Sequence, residues 1–112
     1  MTPRLKTELW VQAQVRLCDR GLIPIAILRK GDPDRGAVML RLARRDRRCL
    51  VLRRITTFEG VPGWMIVAGS GEVSEEDASA FAEREVARDR DLWIVEIEDF
   101  DGRYELDGPI ES

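Results

Sequence analysis

A chain of 112 residues with 18 basic and 21 acidic side chains carries a formal net charge of only −3, yet the two signs are separated along it. Residues 1–56 hold fourteen Lys or Arg against five Asp or Glu, a net of +9, and residues 57–112 hold four against sixteen, a net of −12. That division excludes a uniformly basic nucleic-acid binder and a uniformly acidic solvating protein, while the length and the 44% hydrophobic content fit one folded domain over 1–112, with short flexible tails at 1–4 and 107–112.

The first element has two readings. Leu9, Val11, Ala13, Val15 and Leu17 alternate as a strand would, whereas Trp10, Ala13, Leu17 and Val11, Val15, Cys18 recur at helical spacing. The ending signals favour a helix over 8–20: Gly21 can take the left-handed cap, Leu22 can fold back on the last turn, and Pro24 forbids continuation. A short strand around Leu9 to Val11 followed by a shorter helix is the alternative. Ile25 to Lys30 and Ala37 to Ala43 then read as two strands of a hairpin joined by the turn Gly31-Asp32-Pro33-Asp34-Arg35-Gly36. Ile25 and Ile27 on one face, with Ala26 and Leu28 on the other, predict a strand near the middle of a sheet.

Arg44-Arg45-Asp46-Arg47-Arg48 turns the chain into a third strand, Cys49 to Ile55, and Gly60, Pro62 and Gly63 precede a fourth, Trp64 to Ala68. Ser74 followed by Asp77 resembles a capping box, with Val73 and Ala78 placed as a hydrophobic staple. The helix it opens carries the apolar stripe Ala78, Phe81, Ala82 and Val86. Leu92 to Glu98 alternates again, with Trp93, Val95 and Ile97 on one face. Asp101-Gly102 then predicts a two-residue hairpin into Arg103 to Leu106. That register opposes Ile97 to Leu106 and, unfavourably, Glu98 to Glu105. The expected fold is α+β: an antiparallel meander sheet of about five or six strands with two helices.

Histidine is absent, which removes the commonest general base and metal ligand. Cys18 lies near a helix C-terminus, where the dipole disfavours a thiolate, and Cys49 opens an apolar strand beside Arg47 and Arg48. Without Cys-x-x-Cys spacing, both suit buried thiols in a reducing compartment. The apolar runs are far shorter than the roughly 20 residues a bilayer requires. No cationic segment leads into an apolar secretory core, so no membrane role and a cytoplasmic location are expected.

Three clusters could carry chemistry. Asp99-Phe100-Asp101-Gly102 has the look of a calcium loop, but aligning its glycine puts Ile97 at the first ligand position, so that reading fails. Alternation places Glu96, Glu98 and Glu105 on one face, as an acidic partner surface or a weak Mg²⁺ or Mn²⁺ face; a solvated or arginine-paired strand is the simpler reading. Gly69-Ser70-Gly71 before a helix has the shape of a phosphate turn, yet Glu72, Glu75, Glu76 and Asp77 at the same place would repel the anion. The basic run comprises Arg29, Lys30, Arg35, Arg41, Arg44, Arg45, Arg47, Arg48, Arg53 and Arg54, a plausible phosphate-backbone footprint. It lacks interleaved aromatics and any helix-turn-helix or zinc-finger signature, and the acidic second half supplies a ready counter-charge. No catalytic residue, metal site or cofactor site is assigned.

Leu9-Trp10-Val11, the turn Gly31-Asp32-Pro33-Asp34 with Gly36, Asp91-Leu92-Trp93 leading into Glu96-Ile97-Glu98-Asp99, and the closing Leu106-Asp107-Gly108-Pro109 resemble the small bacterial proteins of domain-of-unknown-function family 1491. The likeness covers nearly the full chain; Arg90 departs from it, standing where the pattern before Leu92-Trp93 has proline. It implies a bacterial cytosolic single-domain protein and brings no activity, cofactor or site residue with it. The residues themselves lead to a non-enzymatic protein-binding or self-associating module that uses oppositely charged faces to meet a protein partner or its own copy. The alternative is an RNA- or DNA-binding module using the basic meander 29–54, and an enzyme using a divalent metal on Glu96, Glu98 and Glu105 stands third.

Overall fold

The structure is a computed structural model and describes residues 5–111. Helix α1 spans Thr7–Arg20 and is followed by β1 (Ile25–Arg29), β2 (Val38–Ala43), β3 (Arg48–Thr56), β4 (Pro62–Val67) and β5 (Val73–Ser74). Helix α2 (Glu75–Arg88), β6 (Trp93–Glu98) and β7 (Ile110–Glu111) complete the order. The strands form one sheet in the order β1-β6-β2-β3-β4-β7, with β5 paired to the start of β3. The class is α+β as expected, but the sheet is mixed: β6 runs parallel to β2 and β7 parallel to β4, and the other pairs are antiparallel.

Each helix covers one face. Val11 and Cys18 of α1 pack with Leu40, Leu52, Trp64, Trp93, Val95 and Ile97, whereas Ala78 and Ala82 of α2 pack with Met39, Val51, Leu92 and Ile94 on the other side. The alternation read in Trp93–Glu98 is therefore the division between two cores. Central β2 is buried along all six residues, as a strand covered on both faces must be.

The helical reading of the first element holds. Its N-terminus has no side-chain cap; the orphan N–H groups of Thr7 and Glu8 instead donate to the carbonyls of Asp34 and Pro33, at 3.3 and 2.9 Å. At the other end the cap is one residue later than expected. Gly21 is right-handed at φ −86°, and Leu22 takes the left-handed position at φ 56°. Ile23 N–H donates to Cys18 O at 2.8 Å, closing the six-residue ring of a Schellman turn. Leu22 is 84% exposed, so its side chain gives little packing in return for the strain. Leu22→Gly is expected to raise the unfolding free energy by about 0.5–1 kcal/mol, and Gly21→Ala to leave it nearly unchanged, as read by urea denaturation.

The expected β1–β2 hairpin does not form, because β6 lies between the two strands and pairs with both. The connection Gly31–Gly36 steps over the start of β6 instead of turning tightly. It grips that strand through Asp32 N–H to Asp91 O (3.0 Å), Trp93 Nε1 to Asp32 O (2.7 Å) and Trp93 N–H to Ala37 O (2.8 Å). β1 is accordingly an edge strand and not the central one that its apolar pattern predicted.

The Asp101-Gly102 hairpin is also absent, for the same physical reason: both edges of β6 are already occupied by β1 and β2, leaving no ladder for Arg103–Leu106. Gly102 does turn, at φ 70°, but the chain then crosses toward α1. Tyr104 and Leu106 pack on the α1-side core, Tyr104 Oη donates to Gln14 Oε1 at 2.7 Å, and Arg103 reaches Gly21 O at 2.8 Å. The opposition of Glu98 to Glu105 disappears with the hairpin. Within the stretch 107–112 expected as a tail, Ile110 and Glu111 pair with Trp64 and Met65; Ser112 and the tail expected at 1–4 lie outside the described residues. The second helix starts as read, with Ser74 Oγ accepting from Asp77 N–H at 3.0 Å.

Candidate binding groove

Placing acidic β6 beside basic β2 brings the two halves of the chain into register. Arg41 stands opposite Glu96, with Nε 3.5 Å from the carboxylate. Arg44 binds the buried Asp99 at 2.8 Å and lies 3.6 Å from Glu72, Arg45 binds Asp101 at 2.8 Å, and Arg53 lies 3.9 Å from both Glu85 and Asp89. Arg29 and Arg48 donate to the carbonyls of Arg90 and Glu72, at 2.6 and 2.7 Å. Of the ten basic residues singled out in 29–54, only Lys30, Arg35 and Arg47 make neither an ion pair nor a side-chain hydrogen bond among the described residues. The exposed pair Arg45–Asp101 adds little stability. Its consequence is electrostatic, because a paired guanidinium is a poor counter-ion for phosphate.

The acidic face is divided in the same way. Glu96 faces Arg41, Glu98 is exposed at the end of β6, and Glu105 lies in the segment that crosses toward α1. Among the described residues no three His, Cys, Asp or Glu side chains converge as a cation site. Both cysteines are buried and unbonded, and burial pushes each thiol upward; at Cys49 the neighbouring Arg41 opposes that rise without cancelling it. Burial, helped by the charge of Asp107, also pushes the Tyr104 phenol upward, so it stays a neutral donor to Gln14.

The last of the ten basic residues sits in a different setting. Arg54 lies over the rings of both Trp64 (4.9 Å) and Trp10 (5.6 Å), whose centroids are 5.7 Å apart. Asp107 ties the three together, accepting from Arg54 Nη1 (2.7 Å) and Nη2 (3.2 Å), Trp10 Nε1 (2.7 Å) and Trp64 Nε1 (3.2 Å). Trp64 is fully buried, so its indole N–H needs that acceptor. Sequence reasoning put Asp107 in a tail, Trp10 on the first helix and Trp64 at the start of the fourth strand. The signals at Asp107 were its place at the end of the carboxylate-rich stretch from Glu96 and in Leu106-Asp107-Gly108-Pro109, a family pattern that says nothing of a role.

Trp10 and Arg54 of this cluster line one wall of a groove of about 380 Å³ between the start of α1, the start of β2 and the β3–β4 turn. Leu5, Trp10, Val38 and Ile55 give it apolar surface, and Arg35 and Arg54 stand on it as cations. Arg35 is placed by the turn that grips β6: Asp32 Oδ2 accepts from Arg35 N–H at 2.7 Å, and Thr7 Oγ1 donates to Gly36 O at 2.7 Å. Apolar surface with a few fixed polar groups at this volume is what small ligand sites present. The remaining basic residues of 29–54 do not line it.

A family model described as "Protein of unknown function (DUF1491)" matches residues 5–107. The chain belongs to the DUF1491 family. Its fold is shared with the crystal structure of a DUF1491 family protein from Caulobacter crescentus CB15, at 38% identity and a TM-score of 0.84, covering 96% of this chain and 100% of that one. An NMR structure of a DUF1491 family protein from the same organism gives 37% identity and a TM-score of 0.82 over 99% and 100% of the two chains. The solution structure of protein Atu0922 from A. tumefaciens is 28% identical with a TM-score of 0.72, over 93% of this chain and 90% of that one. No curated protein matches the chain. Among the described residues no helix of this DUF1491 protein is long and apolar enough to cross a membrane.

Proposed function

We propose that this DUF1491 protein is a non-enzymatic binding module whose groove takes an apolar peptide segment carrying a carboxylate. The observation that carries this reading is a groove of mixed lining, in which Leu5, Trp10, Val38 and Ile55 stand beside two unlike arginines. Arg54 is neutralised by Asp107 and held on two indoles, so it contributes a fixed, planar polar wall. Arg35 has no ion partner among the described residues and is the cation left to meet a ligand's charge. Binding is favoured over chemistry because the thiols stay protonated and most of the clustered carboxylates are engaged by arginine. The charged faces first expected to meet a partner are turned on each other, which also weakens the nucleic-acid reading. Relatives from two bacteria support a bacterial source, and two buried unbonded thiols support the cytoplasm.

The test is a titration with an acetylated tetrapeptide ending in Leu-Leu, as the free acid and as the amide, followed by Trp fluorescence and by the amide resonances of Gly36 and Thr56. The acid is expected to bind at least tenfold more tightly, since a charge-assisted hydrogen bond contributes about 1.5–3 kcal/mol. Arg35→Ala should remove that preference. Equal affinity of acid and amide, or no shift of either resonance at about 1 mM peptide, would overturn the reading.

A further inference from the structure

β1 has the composition of an interior strand and the position of an edge strand. Ile25 and Ile27 point to the α1 side and Ala26 to the other, yet among the described residues β1 has a sheet neighbour, β6, on one side only. Ala26 is exposed, and Ile27 and Leu28 keep 45% and 50% of their surface in water. Leu22, just before the strand, is exposed as well. A long apolar edge is normally blunted, because its free N–H and C=O groups are a template for another strand.

The ladder shows which backbone groups are free. Glu98 N–H donates to Pro24 O at 2.9 Å, so Pro24 and Glu98 form a hydrogen-bonded rung next to the rung Ile25↔Ile97. Bonded and non-bonded rungs alternate in an antiparallel pair. Ala26↔Glu96 is therefore bonded, whereas Ile25 and Ile27 direct their N–H and C=O groups away from β6. Pro24, without an N–H, marks one end of this open edge, and the register shift between Ile27 and Arg29 marks the other.

From this placement we infer that β1 pairs antiparallel with β1 of a second copy of this chain, about a two-fold axis through Ala26. In that register Ile25 forms a bonded rung with the partner's Ile27, and Ile27 with the partner's Ile25, which satisfies the four N–H and four C=O groups now turned outward. Ala26 meets the partner's Ala26 across a non-bonded rung, where Cα atoms approach to about 4.5 Å and small side chains fit best. Leu28 falls opposite the partner's Pro24 and Arg29 opposite the partner's Ile23, so the cations of the two copies are not set against each other. Self-matching of this kind favours a second copy over an unrelated strand, and pairing like edges across a two-fold closes the assembly instead of extending it. β1 then becomes the interior strand that its sequence describes. The contact is small and apolar, which sets it among weak, concentration-dependent dimers. It uses a surface separate from the groove, so peptide binding tests one reading and self-association the other.

The experiment is sedimentation equilibrium from about 1 to about 300 μM, a span that covers weak-dimer dissociation constants, with residue-resolved amide exchange at both ends of the range. A monomer–dimer equilibrium is expected, with the Ile25 and Ile27 amides protected at least tenfold more at the high concentration. Ile27→Pro removes only an outward N–H, which an edge strand tolerates, and Ala26→Glu sets two carboxylates face to face at the axis. Both variants should keep the wild-type circular dichroism and sediment as monomers over the whole range. A monomeric wild type at about 300 μM overturns the inference. So does a dimer whose Ile25 and Ile27 amides exchange at the same rate at both concentrations, or one that survives both substitutions.

Discussion

Gly31→Ala is expected to destabilise the protein by about 3 kcal/mol or more, lowering Tm by roughly 15 °C for a chain of this size. A Cβ at residue 31 would overlap the Asp91 carbonyl oxygen and lie 2.7 Å from Trp93 Cδ1. Neither neighbour can give way. Asp91 O accepts from Asp32 N–H, and the Trp93 ring is pinned by its hydrogen bond to Asp32 O within a fully packed core. Gly36 faces the same carbonyl from the other side of the turn, where a Cβ would stand 2.5 Å from it, so Gly36→Ala should be comparably damaging. Gly71→Ala is the control: a Cβ there meets nothing within 4 Å, and the effect should be within about 0.5 kcal/mol. Thermal unfolding of the three variants reads the difference. Equal effects at Gly31 and Gly71 would show that the turn does not grip β6 as described.

The second large effect is expected at Asp107. Asp107→Ala removes the acceptor for four hydrogen bonds, leaves the buried Trp64 indole N–H unsatisfied and leaves Arg54 on two aromatic rings without a counter-ion. The pair is partly exposed, with side chains 23% and 35% accessible, so solvent softens the loss; about 2–3 kcal/mol is the scale. Arg54→Met keeps much of the stem's packing and should cost less. The double variant should be more stable than the two separate losses added together, because the guanidinium stranded by Asp107→Ala is then absent. Additive losses in urea denaturation would mean that Arg54 and Asp107 do not act as a unit. Asp107→Ala should also weaken peptide binding in the groove, since Trp10 and Arg54 lose the group that holds them.

Both sites show why the sequence could be followed only part of the way. Gly31, Asp32 and Gly36 announced a turn, and a turn is there, but what it turns around is Asp91, some sixty residues on. Asp101-Gly102 announced a hairpin, and Gly102 does adopt the left-handed conformation. Whether a turn becomes a hairpin depends on an open neighbouring edge, which β6 lacks. The groove was legible only in pieces. Arg35 and Arg54 belonged to a run of ten similar residues, with nothing local to separate them from the eight that do not line it. Asp107 became an acceptor for two indoles because β7 and the segment before it return to β4.

By itself the sequence determined the local elements: a helix over 8–20, a second one opened by the Ser74 cap with its apolar stripe, and strands over 25–30, 37–43, 49–55, 64–68 and 92–98, each bound within two residues of the observed one. These follow from side-chain period and capping chemistry, which act within a few residues. Only the tertiary structure decided strand order, because any strand offers the same backbone groups to every other. Inserting β6 between β1 and β2 turned a meander into a mixed sheet, brought Arg41 opposite Glu96 and the basic and acidic segments that follow β2 and β6 within ion-pair reach, and left an interior-type strand at the edge.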